Sequence, residues 1–129
     1  MTSLATILLI EDEPIIRLGT SAMLEDAGYQ VLEACDASEA LVILAHHPEI
    51  SVVLTDVQMP GRMDGLALVS VISANYPAVK SIVTSARSDL SEARKCGASS
   101  FLSKPYTAYT IQAAVRGALA APAQSEAAD

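Results

Sequence analysis

The amino-acid sequence predicts an α/β fold, a doubly wound parallel sheet with helices on both faces. Two apolar runs, Thr6-Ile-Leu-Leu-Ile10 and Val52-Val-Leu54, carry no polar interruption, the pattern of strands covered on both sides. Such runs alternate with segments of helical spacing, and strict βα alternation implies parallel strands joined by right-handed crossovers. Both runs lead into carboxylates, Glu11-Asp12 and Asp56, at the strand ends where open α/β sheets carry their sites.

The first strand is Thr6–Ile10. Behind Glu11, Asp12 and Glu13, Pro14 opens a helix to Ala27: proline suits a first helical turn, and acidic residues complement the positive helix end. Its inward face is expected at Ile16, Gly19, Thr20, Met23, Leu24 and Ala27, with Gly28 as the C-terminal cap. Ile15, Leu18 and Ala22 form a neighbouring apolar row that a surface helix does not need. Tyr29–Cys35 reads as the second strand. Asp36 or Ser38 then caps a helix through Ala45, with Ala40, Leu41 and Leu44 inward. His46 and His47 close that helix before Pro48, and no further ligands stand at metal-binding spacing from them.

The third strand ends at Asp56, and Pro60-Gly61 stops it. Asp64 begins a helix through about Asn75, bearing Leu66, Leu68, Val69 and Ile72, and Pro77 breaks it. Val79–Thr84 is the fourth strand, running into Thr84-Ser85-Ala86. A polar helix is expected from Ser88 to Cys96, ending at Gly97, before a last strand, Ser99–Ser103, that Lys104-Pro105 terminates. Thr107 caps the final helix, with Ile111, Ala114, Val115 and Leu119 inward. Five strands and five helices fit the flavodoxin-like order 2-1-3-4-5, whose switch point lies between strands 1 and 3. Residues 4–120 are expected to form one domain, and 121–129, small, polar and proline-containing, a flexible tail.

With 129 residues, 51% of them hydrophobic, and a mean hydropathy of +0.36, the chain can bury one sizeable aliphatic core. A net charge of −7 argues against a nucleic-acid face or an anionic membrane surface. Cys35 and Cys96 lack ligand spacing and read as small buried residues of a reducing compartment. With neither a signal peptide nor an apolar run long enough to span a membrane in view, a cytoplasmic location is expected.

Three carboxylates at one sheet edge repel one another unless a cation lies among them, and hard oxygen ligands of this kind match Mg²⁺. Thr84 offers a hydroxyl and Lys104 a compact positive charge to the oxygens of a phosphoryl group. Asp56 is then placed as a nucleophile forming an acyl phosphate. Singly, each residue has a plainer use as a helix-start charge, a loop cap or turn chemistry. Together, at the ends of strands 1, 3, 4 and 5, they form a specific pattern.

That pattern resembles the receiver domain of two-component response regulators over about residues 4–119. The resemblance is carried by Ile-Leu-Leu-Ile-Glu-Asp-Glu-Pro (7–14), Leu-Thr-Asp-Val-Gln-Met-Pro-Gly (54–61), Met-Asp-Gly-Leu (63–66), Val-Thr-Ser-Ala (83–86) and Phe-Leu-Ser-Lys-Pro-Tyr (101–106). It implies that Asp56 accepts a phosphoryl group from a phosphohistidine on a histidine kinase or phosphotransfer protein. It further implies that Glu11, Asp12, Asp56 and the Gln58 backbone carbonyl bind Mg²⁺, that Thr84 and Lys104 hold the phosphoryl oxygens, and that Lys104–Pro105 is cis. Thr84 and Phe101 become the switch pair, with the aromatic turning inward as the threonine moves. Gln58 and Ala86 border the phosphoryl group. Ile15, Leu18 and Ala22 become the row against which the histidine protein packs. Two departures stand out: Glu11 replaces the commoner Asp, and Arg62 lengthens the loop after the third strand by one residue.

Two other classes compete. An aspartyl-phosphate phosphatase would place a second Asp two residues beyond the nucleophile, where this chain has Gln58. A flavin or nucleotide binder needs a phosphate-cradling loop after the first strand, where Glu-Asp-Glu-Pro repels phosphate. The expectation is therefore a signalling phospho-acceptor rather than an enzyme, with no output segment visible after Leu119. The downstream target, a dimer formed on phosphorylation, and a stand-alone or excised origin are left open.

Overall fold

The computed structural model of the chain describes residues 5–59, 61–86 and 97–120. Its strands are β1 (Thr6–Ile10), β2 (Gln30–Ala34), β3 (Ile50–Asp56), β4 (Lys80–Ser85) and β5 (Ser100–Ser103). Its helices are α1 (Pro14–Asp26), α2 (Ala37–His46), α3 (Gly65–Asn75) and α4 (Ala108–Ala120). All strand pairs are parallel, and the sheet order is β2-β1-β3-β4-β5, as the alternation predicted. The expected helix at 88–96 and the expected tail at 121–129 lie outside the described residues.

Alternate residues of the central strands feed two cores, one on each face of the sheet. Ile7 and Leu9 join Val52, Leu54 and Ile82 beneath Leu24 of α1 and Ile111 and Val115 of α4. Leu8 and Ile10 join Val53 beneath Leu44 of α2 and Leu68 and Ile72 of α3. Each such fully buried side chain contributes about 1.5–3 kcal/mol relative to leaving it exposed. The β1 and β3 runs are uninterrupted because both of their faces are covered in this way. The caps also act as expected: Asp36 accepts from the Glu39 amide at 2.9 Å, Asp64 from Ala67 at 2.9 Å, and Thr107 Oγ1 from Thr110 at 3.1 Å. Gly28 takes a positive φ of 97°, as a residue beyond a helix end does.

Three expectations are corrected. On α1 the buried residues are Thr20, Ser21 and Leu24, whereas Ile16 is 40% exposed and Gly19 is open to solvent. The helix packs against both β2 and α4, which turns its inward stripe towards Ser21 and away from Ile16. On α4, Ala118 is buried and Leu119 is 38% exposed, because Ile111, Val115 and Ala118 share one stripe and Leu119 lies a residue further round. Cys35 is exposed rather than buried: it falls one residue beyond the edge strand β2, and its amide donates to Glu39 Oε1 at 2.7 Å. Cys96 lies outside the described residues.

Candidate functional site

The switch point between β1 and β3 brings the predicted carboxylates together. Glu11 extends the β1 ladder, its amide donating to the Ala34 carbonyl at 3.0 Å, and its side chain is buried. Asp56 ends β3 opposite Thr84 of β4, and its Oδ1 accepts from the Gln58 amide at 3.2 Å. Asp12 is exposed beside them. One ligand atom from each of Glu11, Asp12 and Asp56 lies within 4.8 Å of the others. These residues line an open cleft of about 420 Å³ with Glu13, Ile16, Gln58, Met59 and Lys104.

Lys104 reaches the cluster from the end of β5. Its backbone is pinned by the amide donating to Ser85 O at 2.8 Å. Its ammonium donates to Asp56 Oδ2 at 2.6 Å and to Glu11 Oε1 at 3.1 Å. Burial works against the lysine's charge, but the hydrogen bonds to Asp56 and Glu11 outweigh it and hold its pKa above the ordinary value. For Glu11 burial is the largest influence and raises the pKa, against the pull of Lys104 and of the Glu13 amide, which donates to Oε2 at 3.2 Å. A cation thus already lies between two of three clustered hard-oxygen donors, and the set fits a divalent ion such as Mg²⁺.

Thr84 is buried at the end of β4 and is not among the residues lining the cleft. The Val57 amide donates to its carbonyl at 3.0 Å, tying β4 to the strand end that carries Asp56. Thr84 is in register with Leu102 and Phe101 with Val83, so the two switch candidates start on opposite faces of the pleated sheet. Phe101 is partly buried, packed with Val69 and Val83. The Lys104–Pro105 bond is cis, as expected. Ala86 is exposed beyond β4.

Ile15 is 80% exposed and Leu18 71%, and Ala22 is exposed as well, so the second apolar row of α1 faces solvent. Beside it, Ile16, Gly19, Thr20 and Met23 line a mostly apolar groove with Pro105 and Tyr106. The Thr20 and Tyr106 hydroxyls lie 2.7 Å apart across it.

Among the described residues, the two histidines join no such cluster. His46 Nδ1 lies 2.9 Å from the Val42 carbonyl, and His47 Nδ1 lies 2.9 Å from Glu49 Oε2.

One determinant was missed in the sequence. A Cβ at Gly65 would collide with the Asp56 carbonyl, because the start of α3 presses on the end of β3, with the Gly65 amide donating to Val57 O at 2.8 Å. The signals available were the place of Gly65 directly after the helix cap Asp64 and its membership of the Met-Asp-Gly-Leu motif, neither of which reveals the close approach.

Residues 7–116 match the family of the response regulator receiver domain. The chain is 36% identical over 107 residues to the nitrogen assimilation regulatory protein NtrX of Azorhizobium caulinodans, covering 79% of this chain and 23% of NtrX. It is 36% identical over 105 residues to the transcriptional regulatory protein PdtaR of Mycobacterium tuberculosis, covering 78% of this chain and 50% of PdtaR. The chain thus spans half or less of these curated relatives. Among solved structures, a response regulator receiver domain protein from Clostridium thermocellum superposes with a TM-score of 0.84 at 34% identity, covering 90% of this chain and 94% of that one. The receiver domain of NtrX from Brucella abortus also gives 0.84, at 29% identity, covering 90% and 99%.

Proposed function

The chain belongs to the response regulator receiver domain family, whose role is phosphoryl acceptance, and from that premise we propose that Asp56 is its acceptor. The observation that carries this reading is the Asp56 carboxylate at the end of β3, 2.6 Å from the Lys104 ammonium and clustered with Glu11 and Asp12. An oxygen of Asp56 attacks the phosphorus of a phosphohistidine on a histidine kinase or phosphotransfer protein. The new P–O bond forms as the P–N bond breaks, and the imidazole leaves with the electron pair and takes a proton from solvent. Lys104 then shifts from the carboxylates to the phosphoryl oxygens, and the Thr84 hydroxyl donates to another of them. Glu11, Asp12, Asp56 and the Gln58 carbonyl would hold Mg²⁺, which when bound neutralises charge on the phosphoryl oxygens.

The phosphodonor docks along α1, over Ile15, Leu18 and Ala22. The output is a changed surface, with Thr84 and Phe101 as the switch pair, and not turnover of a substrate. The reaction is placed in the cytoplasm on compositional grounds; none of the described helices is long and apolar enough to cross a membrane. The relatives named above lend the phosphatase reading no support.

The test is incubation with acetyl phosphate and Mg²⁺ followed by intact mass measurement. The expected result is a gain of one phosphoryl group in the wild type and none in Asp56→Asn. Equal labelling of both proteins would put the acceptor elsewhere.

A further inference from the structure

Arg17 stands in the first turn of α1, its amide donating to the Glu13 carbonyl at 2.9 Å. Its side chain folds back over the acidic turn. Nη1 donates to the Glu11 carbonyl at 2.8 Å, and Nε donates to Glu33 Oε1 on β2 at 3.1 Å. With this contact every polar group of Glu11 is engaged: the amide by Ala34, Oε1 by Lys104, Oε2 by the Glu13 amide and the carbonyl by Arg17.

We propose that Arg17 is a positioning residue for the metal site, fixing the Glu11–Asp12 turn through its backbone while Glu33 holds the guanidinium on the edge strand. This inference rests on the reading of Glu11, Asp12 and Asp56 as the Mg²⁺ ligands. The chemistry suits the task. Lys104 sits on the carboxylates themselves, whereas Arg17 bonds the Glu11 carbonyl and occupies no carboxylate oxygen of the cluster. The guanidinium serves the Glu11 carbonyl and the Glu33 carboxylate from two nitrogens held in one rigid plane, whereas a lysine would have to bring a single ammonium within reach of both.

Charge and geometry act with opposite signs here, which makes the proposal decidable. A positive charge near a cation site weakens Mg²⁺ binding by repulsion. A group that orders the ligands strengthens it, and loss of such supporting partners costs roughly 10- to 100-fold in metal affinity.

The experiment is calorimetric titration of Mg²⁺ into the full chain, as wild type, Arg17→Ala, Arg17→Lys and Glu33→Gln, at a temperature where circular dichroism shows each folded. Both Arg17 variants are expected to bind Mg²⁺ about 10-fold more weakly, and Glu33→Gln about 3-fold more weakly. Tighter binding by Arg17→Ala with unchanged binding by Arg17→Lys would mean that Arg17 acts through charge alone, and overturns the proposal. A lowered unfolding temperature with unchanged Mg²⁺ affinity would make Arg17 a support of the fold only, and overturns it too. Should neither Arg17 variant fold, unchanged affinity in Glu33→Gln overturns it. A wild type that binds no Mg²⁺ overturns the metal-site reading itself, and this inference with it.

Discussion

Lys104 Nζ lies 2.6 Å from Asp56 Oδ2, so the end of β5 is joined to the end of β3 past the intervening β4. The same ammonium reaches Glu11 and balances the cluster from within. Mg²⁺ must share those two carboxylates with it. Lys104→Ala is therefore expected to keep Mg²⁺ binding, tightened about 3-fold by the lost competitor, a difference of about 0.6 kcal/mol. The response to phosphorylation should fail, because no cation then reaches from β5 to the phosphoryl oxygens. Mg²⁺ titration and amide spectra with and without acetyl phosphate measure the two effects. Weaker Mg²⁺ binding in the variant would show that the lysine organises the carboxylates instead.

Asp12 is the exposed member of the cluster, and its removal relieves repulsion without opening a cavity. Asp12→Ala should abolish detectable Mg²⁺ binding and labelling by acetyl phosphate. Its thermal midpoint without metal should equal or slightly exceed that of the wild type. Outright unfolding would mark Asp12 as structural.

Gly65 has no room for a side chain, because the Asp56 carbonyl occupies the space. In Gly65→Ala the start of α3 must back away from the end of β3, an overpacking strain of about 1–3 kcal/mol. Because the displaced backbone carries Asp56, labelling should slow along with the loss of stability. Urea midpoints and labelling rates check this together. An unchanged midpoint would mean that the close approach is absent in solution.

Ile15 and Leu18 are the most exposed large apolar side chains on α1, and they lie beside the acidic turn. Burying two such side chains against a partner helix contributes about 2–4 kcal/mol, roughly 30- to 900-fold in affinity. Ile15→Glu with Leu18→Lys should slow transfer from the cognate kinase, while acetyl phosphate still labels Asp56 at the wild-type rate. Undiminished transfer from the kinase would move the docking surface off α1.

The central strands were legible because burial on both faces leaves no polar residue in Ile7–Ile10 or Val52–Leu54, and a carboxylate after such a run is conspicuous. The face of α1 was less so. Periodicity kept Ile15, Leu18 and Ala22 out of the core, but it centred the inward stripe too near Ile16 and Gly19, because β2 and α4 both press on the helix and draw in Ser21. Ala118 was passed over for Leu119 because a larger side chain looks the better core residue, although the stripe set by Ile111 and Val115 selects the smaller one. The structural roles of Gly65 and Arg17 were out of reach for a different reason. The one is dictated by a backbone approaching from another element, the other by a carbonyl that its own helix turn brings within range. Neither leaves a periodic trace.

Phe101, half-covered by Val69 and Val83 on β5, is the only phenylalanine in the chain, which also has no tryptophan. Emission from its four tyrosines reports no single position, but biosynthetic incorporation of fluorophenylalanine labels Phe101 alone with fluorine. The fluorine line originates at the proposed switch and nowhere else. Its position before and after acetyl phosphate reads the two ring environments directly. If both are present together, the ratio of two lines gives their populations without a partner, a chromophore or an assigned spectrum.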